Sequence, residues 1–316
     1  MSGEAEAGAQ KPEAANWRAL ARIAFALFGV SLAAALLART LSQTSLADLR
    51  AALAEAAPMR IIAALGFAAA SYFCLTLFDW LGARYAGHPL RWRKAAQASF
   101  VALSLGHNIG FAAVSSGALR YRFYARWGLE AQEVARLIAF CAATVGLGLC
   151  ALAGVALLLA PRGLEALGFA PAVARGFGLG LLLVCALWIV ACAFWRARIS
   201  LRGWRLYLPT PRLALAQTVV GAINFACVAA CLHQALRAFA PADYLHVAAA
   251  YAAANAATLV SHAPGGLGVI ETVVSALVPG PRVLAALVLF RCAYFFAPLT
   301  LGLALLAWSE WRLRAR

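Results

Sequence analysis

The chain reads as an all-α polytopic helical membrane protein, with six crossings and two re-entrant hairpins arranged as an inverted repeat. Three observations predict this. Of its 316 residues 64% are hydrophobic and only 12% charged, with a mean hydropathy of +0.81, against roughly 25% charged residues in a soluble domain. The apolar residues fall in blocks of about 20, the length that crosses ~30 Å of hydrocarbon. The arginines gather in the short segments between blocks, which fixes orientation through the positive-inside rule.

Residues 1–16 are small and polar, carry three glutamates and have no cleavage signature, so a disordered cytoplasmic tail is expected ahead of an uncleaved first span. A single membrane domain, 17–316, follows. The clear spans are 17–38, 59–81, 134–160, 176–195, 213–236 and 283–308. Two further apolar segments, 95–117 and 245–280, contain helix breakers. Arg84, Arg91, Arg93 and Lys94 precede the first of these, and Arg120, Arg122 and Arg126 end it. Both flanks therefore read as cytoplasmic, and the segment enters and leaves on one side. Arg196, Arg198, Arg202, Arg205 and Arg212 mark another cytoplasmic loop, and Arg312, Arg314 and Arg316 a cytoplasmic C-terminus. Segment 245–280 is then a hairpin entering from outside. Eight full spans are the alternative, because 95–117 is just long enough to cross.

Three crossings per half invert the two halves, 17–160 and 176–308, relative to one another. An offset of 155 residues, the separation of His107 and His262, also sets Gly66 on Gly221 and Gly110 on Gly265. Both hairpin tips then read His-x-x-Gly. Inverted repeats with broken helices meeting near the midplane recur among transporters.

Several classes are excluded. The formal charge of +15 would suggest nucleic acid in a soluble protein, but here no basic soluble face exists to hold a duplex. The eight cysteines lie in apolar blocks without a Cys-x-x-Cys pair, which argues against a disulfide framework or a metal site. No strands are expected, so Gly265-Gly266-x-Gly268 is not a dinucleotide fingerprint. No cofactor is implied.

The residues that carry chemistry cluster at the breaks. Pro264, Gly265, Gly266 and Gly268 interrupt the second hairpin, and Gly110 and Gly117 are the expected hinges of the first. Backbone freed at such breaks cannot face lipid, so it is buried in protein or lines a wet cavity. Glu271 follows the glycine run, and a carboxylate at that depth costs about 2.5–3.5 kcal/mol on insertion scales. Arg291, two turns inside the last span, is its expected partner, either as a structural pair or beside a lipid phosphate. His107, His262 and Asn108 sit at the tips. Arg120 and Arg122 offer forked donors for phosphate, or serve as interfacial anchors. Asp79, near the cytoplasmic end of its span, is expected to reach the interface.

Asn108-Ile109-Gly110-Phe111, then Ser115-Ser116-Gly117-Ala118-Leu119-Arg120-Tyr121-Arg122 to Trp127-Gly128-Leu129, form one motif, and Pro264-Gly265-Gly266-Leu267-Gly268 with Glu271 another. Together they resemble the transmembrane domain of bacterial lysylphosphatidylglycerol synthases, the multiple peptide resistance factors, from about residue 17 onward. The resemblance implies an inner-membrane lipid translocase for an anionic or aminoacylated phospholipid. It implies a stand-alone form without the synthase domain, and so no enzyme. Membrane lipids with anionic headgroups are the implied partners, together with an envelope-lipid or hopanoid biosynthesis enzyme. Glu271 would attract the amine, and Arg120, Arg122 and Arg291 the phosphate. An ion-coupled small-solute transporter and a non-transporting membrane partner share this design and remain open, as does the oligomeric state.

Overall fold

A computed structural model describes residues 54–109, 112–161, 165, 168–195, 198–201, 204–261, 263–280 and 282–314. The expected tail 1–16 and first span 17–38 lie outside them. The described body is helical: α1 (Pro58–Tyr85), α2 (Trp92–Ile109), α3 (Ala112–Ala125), α4 (Ala131–Leu159), α5 (Pro171–Phe194), α6 (Pro211–Arg237), α7 (Tyr244–Ser261), α8 (Val269–Leu277), α9 (Val283–Arg291) and α10 (Ala297–Arg314). A 3₁₀ turn, Pro264–Gly266, follows α7, and a π-helical segment, Cys292–Phe296, joins α9 to α10. Five of these stretches are long and apolar enough to cross a membrane: α1, α4, α5, α6 and α9–α10.

Local sequence sets the helix starts. Proline occupies the first turn of α1, α5 and α6, where its missing N–H is not needed. The Thr210 hydroxyl accepts from the Leu213 amide to cap α6. At α4 a Glu130–Glu133 capping box returns the Glu133 carboxylate to the Glu130 N–H at 2.9 Å.

The two broken segments are hairpins. Arms α2 and α3 pack on each other, close enough that a Cβ on Gly106 would meet Ser116 at 2.8 Å. Lys94, at the start of α2, lies over the Trp127 ring just beyond the end of α3. In the second hairpin, His246 near the start of α7 bonds through Nε2 to the Leu277 carbonyl at the end of α8, at 2.7 Å. The 9 residues of α8 span about 14 Å, half of what a crossing needs. Among the described residues, neither broken segment therefore makes a single crossing.

Shifted by the expected 155 residues, α1, α2, α3 and α4 fall on α6, α7, α8 and the last span. The equivalent helices α1 and α6 pack directly together and run antiparallel, with Arg60 at the start of α1 donating to Gln234 near the end of α6 at 2.8 Å. The correspondence holds for elements but not for every matched residue. Gly66 meets nothing, whereas a Cβ on Gly221 would fall 2.7 Å from the Thr144 carbonyl, where α6 crosses α4 at Gly148. Gly221→Val is thus expected to lower stability by about 1–3 kcal/mol through overpacking, with Gly66→Ala within about 0.5 kcal/mol of the parent. Thermal unfolding in detergent checks both.

Two expectations are corrected here. The arginine-rich loop before α6 is not strand-free: Arg198–Leu201 (β1) pairs antiparallel with Trp204–Tyr207 (β2), because apolar residues alternate with polar ones along its sequence. Gly117 is not a break. It lies inside α3 near Ile138, eight residues after the described end of α2 at Ile109.

Candidate functional site at the hairpin tips

The glycine run makes the second tip. Gly265, Gly266 and Gly268 have φ of 58°, 62° and 79°, a left-handed backbone that favours glycine. That turn projects the Gly265 and Gly266 carbonyls toward α9. It also brings Gly265 so close to the first hairpin that a Cβ there would lie 3.2 Å from the His107 carbonyl oxygen. The two tips, inserted from opposite ends of the bundle, therefore meet.

Arg291 gathers the second tip. Its Nε and Nη2 donate to the two Glu271 carboxylate oxygens, the latter bond at 2.9 Å. Nη1 donates to the Gly265 carbonyl at 3.0 Å and Nη2 also to the Gly266 carbonyl at 3.2 Å. The Phe295 ring lies 5.2 Å from the guanidinium carbon. Glu271 also accepts from the Gly268 amide at 2.8 Å, holding the start of α8. The Arg291 side chain is 4% exposed and that of Glu271 23%, so the carboxylate is the reachable member. This is the partnership expected from sequence. An anion approaching Arg291 must displace Glu271 or the tip carbonyls.

A second buried ion pair holds the first hairpin. Arg120 on α3 forks onto Asp79 of α1, Nε to Oδ2 at 2.9 Å and Nη2 to Oδ1 at 2.7 Å, and donates to Ser116 at 3.2 Å. The Tyr124 hydroxyl donates to Asp79 Oδ2 at 2.7 Å. Asp79 is 0% exposed, so it does not reach the interface as expected from its place in the span. Arg122, by contrast, lies at the basic end of the bundle, paired with Glu310 at 2.6 Å beside Arg126.

Between the two ion pairs lies a buried polar and aromatic cluster. Ser71 on α1 donates to Asn224 Oδ1 of α6 at 2.8 Å and lies 3.1 Å from the Tyr294 hydroxyl. The His107 ring stacks on Tyr294, with centroids 6.4 Å apart and planes at 20°, and stands edge-on to Tyr72. Asn108 donates to the Ser104 and Phe295 carbonyls. The π segment thus presents the Phe295 carbonyl to the first tip, while Arg291 just before it grips the second. π-Bulges concentrate at functional sites because they free such groups. His262 and Gly110 lie outside the described residues. Ser71, Asn224 and Tyr294 complete the cluster without having been singled out as site residues. A Ser-Tyr pair in one apolar span and a Tyr three places from the arginine in another were the signals.

The lysylphosphatidylglycerol synthase TM region family model matches residues 23–302. An inner membrane protein of Escherichia coli K12, YbhN, is 29% identical over 250 residues, covering 77% of this chain and 78% of that protein. An uncharacterized Synechocystis protein is 28% identical over 249 residues, 76% of each chain.

Proposed function

Because the chain belongs to the lysylphosphatidylglycerol synthase transmembrane-region family, we propose that it is a bacterial inner-membrane lipid translocase. It moves an anionic or aminoacylated phospholipid, or a related envelope lipid, between leaflets. The observation that carries this reading is the meeting of two oppositely inserted hairpin tips at a buried Arg291 whose partner Glu271 is reachable. A headgroup passing between the tips would exchange ions with that pair, phosphate to Arg291 and amine to Glu271, while its acyl chains stay in the bilayer. Charged side chains at membrane depth mark substrate paths, and the inner-membrane relative supports the location.

The test is leaflet exchange of a fluorescent phosphatidylglycerol in vesicles reconstituted with the parent protein, Glu271→Gln, Arg291→Met and the double variant. Each single change is expected to slow exchange about tenfold or more, since a lost contact of about 1.4 kcal/mol suffices for that. Unchanged exchange in folded variants would overturn the assignment.

A further inference from the structure

The charges at the centre of the described body cancel. Arg120 is matched by Asp79 and Arg291 by Glu271, each through two hydrogen bonds to its carboxylate. An anionic headgroup entering between the tips adds one negative charge that neither pair balances. Burying an uncompensated charge at this depth is costly, and such groups are neutralised instead. The centre therefore needs a positive charge that arrives with the ligand.

His107 is placed to supply it. Its Nδ1 is out of solvent contact and has no hydrogen-bond partner among the described residues. Buried polar atoms are rarely left so. The ring sits between Tyr72 and Tyr294, and its own carbonyl abuts Gly265 at the tip contact. Tyr72 on α1 and Tyr294 on the π segment lie against the ring, Arg120 on α3 acts on it electrostatically, and beyond the tip contact at Gly265 lies the Arg291–Glu271 pair. Neither tyrosine is a base, and both carboxylates are committed to arginines. Histidine is the side chain that changes charge near neutral pH.

Resting on the translocase reading, we propose that His107 is a proton site that loads together with the anionic headgroup, one proton for each phosphate monoanion. On binding, an aqueous proton forms the Nδ1–H bond and the resulting imidazolium balances the phosphate. On release the proton leaves with the lipid. Transport is then electroneutral and coupled to the proton gradient.

Calorimetric titration of the purified full-length protein tests this, using a water-soluble short-chain phosphatidylglycerol in two buffers of different ionisation heat. Inorganic phosphate serves as the second probe. The parent protein is expected to take up one proton per lipid, so that affinity falls about tenfold per pH unit above neutrality, with no uptake from inorganic phosphate. His107→Gln and the smaller His107→Asn are expected to remove both the uptake and the pH dependence. Lipid binding without proton uptake by the parent, or full uptake by the folded variants, would overturn the proton site and leave the translocase reading standing. Proton-linked binding of inorganic phosphate alone would reassign the site to free phosphate. Absence of any lipid binding heat would remove the translocase reading, and this inference with it.

Discussion

Asp79→Asn is expected to lower the stability of the folded membrane body by about 3–5 kcal/mol, the cost of orphaning one member of a buried ion pair. Asparagine keeps the shape and one acceptor oxygen but removes the charge that Arg120 grips with two N–H groups. Arg120 is 4% exposed and is held on a short helix packed against α2 and α4, so it cannot reach water without pulling α3 away. The Tyr124 hydroxyl loses its charged acceptor in the same step. Replacing both members, Asp79→Leu with Arg120→Met, is expected to restore most of the loss, because two apolar side chains need no compensation. Thermal or steric-trap unfolding of the parent and the two variants makes the comparison. A single variant within about 1 kcal/mol of the parent would contradict the pair's role in holding the first hairpin.

How much of this was legible in the sequence depends on the range of the interaction. The hairpin at Pro264–Gly268 could be read because three glycines and a proline have a local steric meaning, and loop arginines carry orientation directly. The same logic located the first hairpin but counted Gly117, a helix-interior residue, among its hinges. Ser115, Ser116 and Gly117 tolerate a turn, yet they equally suit a helix whose small face packs on Gly106. The strand pair in the basic loop was hidden because its charge drew attention from the alternation of Ile199, Leu201, Leu206 and their neighbours.

The Asp79–Arg120 pair joins residues 41 apart in sequence, each near an aqueous boundary where a charge needs no explanation. Nothing local marks them as partners. Glu271 and Arg291 could be matched because both are too deep to be left alone. The π segment has no sequence signature, since one extra residue in a turn changes the hydrogen-bond register and not the composition. What composition does show there is Tyr294 and Phe295 beside an arginine. The registers that place one carbonyl on Asn108 and the Tyr294 hydroxyl on Ser71 come only from packing.

The second pair should show a different pattern, because its members differ in burial and Arg291 has more than one task. Glu271→Gln leaves the guanidinium buried without a counter-charge, yet still bonded to the Gly265 and Gly266 carbonyls. A loss of about 3 kcal/mol is expected, with the tip held in place. Arg291→Met leaves Glu271 partly hydrated and still capping Gly268, but it frees the tip carbonyls. Its expected loss is similar, and it should also raise hydrogen exchange of the Gly265–Ile270 amides, which Glu271→Gln should leave protected. The double variant should be less damaging than the sum of the singles by about 1–3 kcal/mol, the usual range for residues in direct contact. Arg291→Lys should recover under half of the loss, since a single ammonium cannot reach the carboxylate and two carbonyls as a planar fork does. Additive single effects, or equal exchange in both single variants, would mean that the pair does not close the tip. The carboxylate and the glycine turn would then be independent features of one helix start.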